Sequence, residues 1–388
     1  MENLRILITC EELNVRGGTE LYIRDLALAL LRLGHTPIVY AGSLGEVATE
    51  IRDLTIPVVD KLDAIAITPD IIYGQHHLPT MMAMLHFADV PAVYVCHDWY
   101  GPSAFAPRFP RILRFIAVDV TCRDRLICED GVDESRVRLL PSSVDLQRFE
   151  QRPTLPAQAR RALVFSNYTP ENPHLAALRT TCAKRGIQLD VIGVMMNNTV
   201  TRPEDVLRDY DIVFAKGRAA LESLAVGSAV IVYSGIRFLG GMVRAEDVER
   251  LLPLNFGIRA MGDALAPEEL ALRVGYELDR YAPADAAKAT LLVREQAGHL
   301  AAVHEIVEIC EAVIAEYEQT RTGFDPREGP AVAAYLARLQ AQQRSIMGRL
   351  QAQQRVTQNS TIAKLVRPLN RFPRIVRMLR PLARTFIR

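Results

Sequence analysis

Residues 211–232 read DIVFAKGRAALESLAVGSAVIV. The apolar run at 211–215 predicts a strand that ends at Lys216-Gly217-Arg218, where a helical pattern begins and continues to residue 226. A second apolar run at 229–233 predicts another strand, which makes a strand-helix-strand unit of the kind that builds parallel sheets. Glu222 lies one turn beyond Arg218 on the same helix face. Two cations and free amides at a helix N-terminus suit a diphosphate, and a carboxylate one turn deeper suits paired ribose hydroxyls. The bland alternative is a surface ion pair between Arg218 and Glu222.

The same alternation runs outward from this unit. Upstream it predicts strands at 162–167 and 188–193 and helices at 173–185 and 203–210; downstream, helical patterns dominate from 245 to about 317. A polar stretch at 146–158, with Pro153 and Pro156, breaks the pattern and reads as a linker. Before it, strands are expected at 5–10, 36–41, 70–74, 92–96, 115–120 and 136–140. An amphipathic helix carrying Leu21, Leu26, Leu28, Leu30 and Leu33, closed by Gly34, joins the first two. The fold class expected is α/β, with two Rossmann-like, doubly wound domains at 1–150 and 151–320 facing a cleft, then a helical, basic extension at 321–388.

Composition agrees: 388 residues, 49% hydrophobic and 23% charged, suffice for two cores. The six cysteines show no zinc spacing and sit in apolar stretches, so they read as buried thiols in a reducing, cytoplasmic setting. Neither a signal peptide nor an apolar run of membrane-spanning length is visible. Twelve of the 46 Lys/Arg and none of the 45 Asp/Glu fall at 329–388, so the body is acidic and the tail basic. RLQAQQR occurs at 338–344 and again at 349–355, an offset that returns nearly to the same helix face. A short coiled coil joining copies through 331–356 and a solvated extension both fit that repeat. At 361–388, apolar residues on one side of a helical wheel face arginines on the other, a pattern that suits the inner face of an anionic membrane. A disordered basic tail or a protein-docking segment are the alternatives.

Further candidates lie at predicted strand ends. Gly17-Gly18-Thr19-Glu20 sits between the first strand and helix, where glycines let backbone approach a ligand. His97-Asp98 follows the 92–96 strand, where a histidine can donate to a substrate oxygen. His76 and His77 follow another strand and are weaker candidates. Gly240-Gly241 can offer further N–H groups to phosphate. Asp209-Tyr210-Asp211 has a DxD spacing used elsewhere for metal, but straddles a helix end and a strand start and reads as coincidence. No Ser-His-Asp order, Walker loop, zinc spacing or basic-aromatic stripe appears, so a metal site or a nucleic-acid partner is not expected.

Taken together these residues resemble the bacterial family-4-type (group 1) glycosyltransferases of GT-B fold over roughly residues 4–320. Gly17-Gly18-Thr19-Glu20 with Gly34-His35 resembles the family's opening, and Val95 to Asp98 its mid-domain histidine strand. The passage from Cys122 through Gly131-Val132, Pro141 and Val144-Asp145 to Phe149 is similar to its linker, with Ser142-Ser143 in place of Asn-Gly. Residues 220–232 resemble its donor-site helix. The resemblance implies retaining transfer of a hexose from a nucleotide-diphosphate sugar to a cell-envelope or lipid-linked glycan, with no cofactor and no essential metal. It implies that Glu222 binds ribose; beside it, the residues read above place Gly17, Gly18, Lys216, Arg218, Gly240 and Gly241 on the donor, with Lys216 and Arg218 taking over the phosphate charge, and His97 as the catalytic residue. The family's first motif glutamate would fall at Phe214, and 166–174 lacks the basic pair usual there. Those departures keep two other readings open: a non-catalytic, membrane-associated partner that binds nucleotide or glycan, and a nucleotide-sugar epimerase.

Overall fold

The computed structural model describes residues 3–321, 323 and 325–359, the side chains of 355–359 excepted. The amphipathic stretch at 361–388 lies outside the described residues. The described chain forms two compact units, divided between Asp325 and Pro326.

The first unit contains two sheets. The N-terminal sheet comprises β1 (Arg5–Leu13), β2 (Thr36–Leu44), β3 (Val58–Val59), β4 (Ile71–Gln75), β5 (Ala92–Cys96), β6 (Ile112–Ala117) and β7 (Val137–Leu139). Their order is β3-β2-β1-β4-β5-β6-β7, with every pair parallel. Helices α1 (Gly18–Arg32), α2 (Glu46–Asp53), α3 (His77–His86) and α4 (Val120–Asp124) connect them. Buried runs such as Ile6 to Cys10 and Ala92 to Cys96 are what a parallel sheet covered on both faces demands.

The second sheet is built from β8 (Arg161–Phe165), β9 (Gln188–Ile192), β10 (Ile212–Ala215), β11 (Ala229–Tyr233) and β12 (Leu239–Met242), in the order β12-β11-β10-β8-β9. Four strands are parallel and β12 runs antiparallel at the edge. Around it lie α5 (Pro173–Ala183), α6 (Pro203–Leu207), α7 (Gly217–Val226), α8 (Val248–Leu251), α9 (Pro267–Asp279) and α10 (Pro283–Gln296). The strand-helix-strand unit read from 211–232 is β10-α7-β11. Helix α7 ends on Gly227, whose φ of 106° is the left-handed conformation that frees glycine to close a helix.

Three expectations need correction. Helix α11 (His299–Thr320), placed by sequence with the second domain, packs on α1, β5 and β6 of the first. It buries Val303, Ile306, Val307, Cys310 and Val313 there, and Arg114 and Arg138 pair with its Glu316 and Glu305 at 2.6 Å. The second correction concerns Gly240 and Gly241, which lie within the edge strand β12 and not in a loop after a strand. The third is Cys128, which is exposed, whereas Cys10, Cys96, Cys122, Cys182 and Cys310 are buried.

Two segments run between the sheets side by side. The Val144 N–H donates to Ala297 O and the His299 N–H to Val144 O, each at 2.9 Å. The second unit contains α12 (Glu328–Asn359), on which Leu336, Met347 and Leu350 are about half exposed. No described helix is long and apolar enough to cross a membrane.

Candidate active site: a cleft between two switch points

Strand order reverses direction between β1 and β4 in one sheet and between β8 and β10 in the other. Crevices open at such points beyond the carboxyl ends of the strands. Here the two crevices share one cavity of about 430 Å³. Arg16, Gly17, Gly18 and Leu21 line it from the first domain; Phe165 to Tyr168, Gly193, Val194, Lys216, Arg218, Ala219 and Glu222 line it from the second.

The turn into α7 builds the second wall. Gly217 adopts a φ of 59°, which lets the chain leave β10 and enter the helix directly. Lys216 is the N-cap and supplies no side-chain cap, so the first-turn amides of α7 and its dipole are available at the cavity. Burial lowers the pKa of Lys216, an effect that Asp98 of the first domain opposes. Its Nζ stands 5.4 Å from the centre of the Tyr168 ring.

Arg218 and Glu222 form the ion pair that their spacing allowed, at 2.6 Å between Nε and Oε1, but the pair is enclosed and not on the surface. It also has a third member. The Arg218 Nη2 donates to Asp25 of α1, 193 residues away in the sequence. Asp25 is held in turn by Arg24 at 2.7 Å and by Arg148 at 3.7 Å, and Arg148 reaches Glu204 at 2.8 Å. Arg24 and Arg16 share Glu50, and Arg16 donates to Thr201 O at 2.7 Å. At its edges Arg202 also approaches Glu204 at 3.7 Å and Glu46 approaches Arg16 at 4.0 Å, so the enclosed charges are paired on both signs. Burial by itself would raise the Asp25 pKa, but Arg218 and Arg24 outweigh it and hold the carboxyl well below its usual range. Arg218, whose charge burial disfavours, is held above the ordinary arginine range by Asp25 and Glu222.

On the first domain, His97 follows β5 as expected; it does not line this cavity but stands behind its wall, beside Tyr22, which follows the lining Leu21, and before Asp98, whose charge acts on Lys216. Its ring meets Tyr22 edge-on at 4.7 Å, and its Nε2 is enclosed without a hydrogen-bond partner, although part of the residue reaches the surface. Burial, reinforced by His76, pushes its pKa down to about 3, so the ring is neutral. His76 has a φ of 57°, unusual for a residue with a side chain, and its Nδ1 accepts from the Glu11 N–H at 3.2 Å. His77 stacks on Phe105 at 3.9 Å within the fold.

Gly240 and Gly241 are separated from the other candidates. They line a different cavity, of about 530 Å³, with Arg273, Tyr276 and Glu277 of α9. A Cβ on Gly240 would come within 2.6 Å of Ala260 O, so close packing accounts for this glycine. Asp211 of the DxD spacing accepts from the Arg160 and Arg161 N–H groups and from Arg152, which ties the linker to β10. Among the described residues no group of three His, Cys, Asp or Glu is placed to hold a metal ion.

Sequence reasoning missed several lining residues. Gly193 is one: a Cβ there would lie 1.9 Å from Ser166 O, so β8 and β9 diverge into the cavity only with glycine at this position. Asn167 is another; its Oδ1 accepts from the Val194 N–H at 3.3 Å and its Nδ2 approaches Arg16 O at 3.5 Å. The strand ends at 165 and 192 carry the signal for both, since ligands lie beyond such ends. Asp25 carries no local signal.

Two Rossmann-type sheets with switch points facing one cleft define the GT-B class of fold. Residues 16–148 match the model of Glycosyltransferase Family 4, a stretch that spans most of the first domain. Solved structures share the architecture. A glycosyltransferase from Rickettsia africae ESF-5 aligns with a TM-score of 0.60 at 15% identity, covering 81% of this chain and 99% of that one. Anabaena HepE, solved with UDP and glucose, aligns with a TM-score of 0.54 at 14% identity, over 80% of this chain and all of its own. The lipopolysaccharide outer core galactosyltransferase WaaB aligns at 0.53 and 10% identity, over 80% and 99%. At such identities the likeness is one of fold. No curated protein matches the chain in sequence.

Proposed function

We propose that this chain is a glycosyltransferase that binds a nucleotide-diphosphate sugar in the cleft and passes the sugar to a glycan or glycolipid acceptor. The observation that carries the reading is the α7 N-terminus with Lys216, placed at the cavity where both switch points meet. Departure of a nucleoside diphosphate leaves positive charge on the anomeric carbon and negative charge on the phosphate oxygens. Lys216 and the α7 amides stabilise the latter, which supports transfer without an essential metal or cofactor. Glu222 hydrogen-bonds the ribose through the oxygen that Arg218 does not take. The base lies against Phe165 to Tyr168 and Gly193-Val194. HepE, of the same fold, is solved with UDP, which supports a uridine donor as the first to test. His97, neutral and adjacent to the cleft, orients the sugar or acceptor hydroxyl. Retention of configuration and a hexosyl donor complete the proposal, both carried by the family resemblance.

The test is calorimetric titration with UDP, GDP, dTDP and ADP. One nucleotide should bind saturably, and Lys216→Ala and Glu222→Ala should each weaken it at least tenfold. No binding by wild-type protein to any of the four would refute the reading. Phe214 favours a second reading, a non-catalytic binder. Its side chain is fully buried against Tyr233, and the carboxylate that the family carries at this position is missing. Binding without turnover of any sugar nucleotide in the presence of membrane lipids would decide for it. The proposal includes a cytoplasmic location with membrane contact through 361–388; co-sedimentation with anionic vesicles that survives deletion of this stretch would refute that part. Self-association through 331–356 is tested by sedimentation of the full chain against Leu336→Glu.

A further inference from the structure

Arg218 stands at the first turn of the helix that points at the donor cavity, yet its charge is already matched. One edge of its guanidinium meets Glu222 of the same helix and another meets Asp25 of the other domain. All three side chains are less than a fifth exposed, so water does little to screen them. Without Arg218, Asp25 would still have Arg24 at 2.7 Å and Arg148 at 3.7 Å, although these two also serve Glu50 and Glu204. A largely buried carboxylate is costly unless paired, and α1 places this one, beside its neighbour Arg24, opposite the cavity-lining cation nearest the first turn of α7.

We propose that Asp25 is a positioning residue that acts through Arg218: it holds the guanidinium toward Glu222 and away from the anion. The cavity then presents one uncommitted cation, Lys216, in place of two. This rests on the reading of the cleft as a donor site and adds to it a means of setting diphosphate affinity from the opposite domain. A site with two free cations at a helix N-terminus holds a departing nucleoside diphosphate tightly and releases it slowly. With Arg218 engaged, donor binding relies more on the nucleoside and the product leaves more readily.

The experiment compares UDP with uridine on wild-type protein, Asp25→Asn and Asp25→Asn/Arg218→Gln, by calorimetry. Uridine lacks the diphosphate, so the ratio of the two affinities isolates the phosphate contacts. Removing one buried negative charge near the anion is expected to raise that ratio about tenfold. The second substitution is expected to return it to the wild-type value, because the freed cation is Arg218. In turnover assays Asp25→Asn should lower KM for the donor and lower kcat together, a split that simple loss of structure does not produce. If Asp25→Asn does not fold, Asp25→Ser, which admits water beside Arg218, carries the same comparison. An unchanged or lowered ratio, or a raised ratio that survives the Arg218 substitution, overturns the proposal while leaving the donor site intact. If wild-type protein binds GDP, dTDP or ADP in place of UDP, that nucleotide and its nucleoside take the place of UDP and uridine in the comparison; failure to bind any of the four overturns the donor reading itself, and this inference with it.

Discussion

Arg218→Ala tests the buried network most directly. The substitution removes a guanidinium whose side chain is 18% exposed and which serves two carboxylates. The two are not left in the same condition. Asp25 keeps Arg24 and Arg148, whereas Glu222, with a side chain 7% exposed, loses its ion-pair partner and keeps only the longer-range attraction of Arg148. Breaking a buried pair from one side costs about 3–5 kcal/mol, most of it the uncompensated charge left behind. Because only one of the two acids is stranded, the lower end applies, and we expect a loss of about 3 kcal/mol. Glu222→Gln in the same background removes the stranded charge and should restore about half of it. Urea unfolding, followed by circular dichroism and by a probe in each domain, measures both quantities. There is also a pH signature. The depressed Asp25 pKa contributes stability that is present above the unfolded carboxylate pKa of about 3.9 and is lost as pH falls through the lower folded value. Arg218→Ala moves that folded value back toward the unfolded one, so the variant should lose less stability than wild type as pH falls below about 4. A cost below about 1 kcal/mol, or a double variant whose losses simply add, would refute the argument that this pair is buried and coupled.

Other outcomes follow from the same geometry. The folded pKa of His97 is pushed below its ordinary 6.5 by burial, so its contribution is fully present above the unfolded pKa and falls as the solution is acidified. His97 should contribute a drop of about 2 kcal/mol between pH ~7 and pH ~5, and His97→Phe should lessen the slope in urea titrations by that amount, leaving the part due to His35, His76 and His299, which burial also depresses; an identical slope in the variant would show that the ring is not enclosed. Gly193→Ala drives a Cβ against the Ser166 carbonyl, so it should lower the melting temperature and weaken nucleotide binding, and a variant indistinguishable from wild type in both would show that β8 and β9 do not approach so closely. Gly241→Ala meets nothing nearer than 3.7 Å in the other cavity and should leave nucleotide affinity within about twofold of wild type; a tenfold loss on calorimetry would return Gly241 to the donor site.

The sequence by itself determined the two wound sheets and the position of one wall of the cleft. Both were readable because they are local: apolar runs of strand length, a helical period between them and glycines at the turns repeat within some twenty residues. Lys216, Arg218 and Glu222 were found for the same reason, since a strand, a turn and one helical turn are enough to bring them to one place. What only the tertiary structure decided is long-range. Helix α11 has an apolar face that either domain could cover, and its return to α1, β5 and β6 depends on which surface the paired segments at 144 and 297–299 deliver it to. Gly240-Gly241 looked like a phosphate loop because two glycines report backbone freedom without saying whether an anion or the Ala260 carbonyl takes the space. Asp25 gave no sign of its role in a sequence where it is one acid among 45. Its partner lies 193 residues away, and a buried charge chooses its counter-charge by three-dimensional proximity at low dielectric, a quantity that spacing along a chain does not encode.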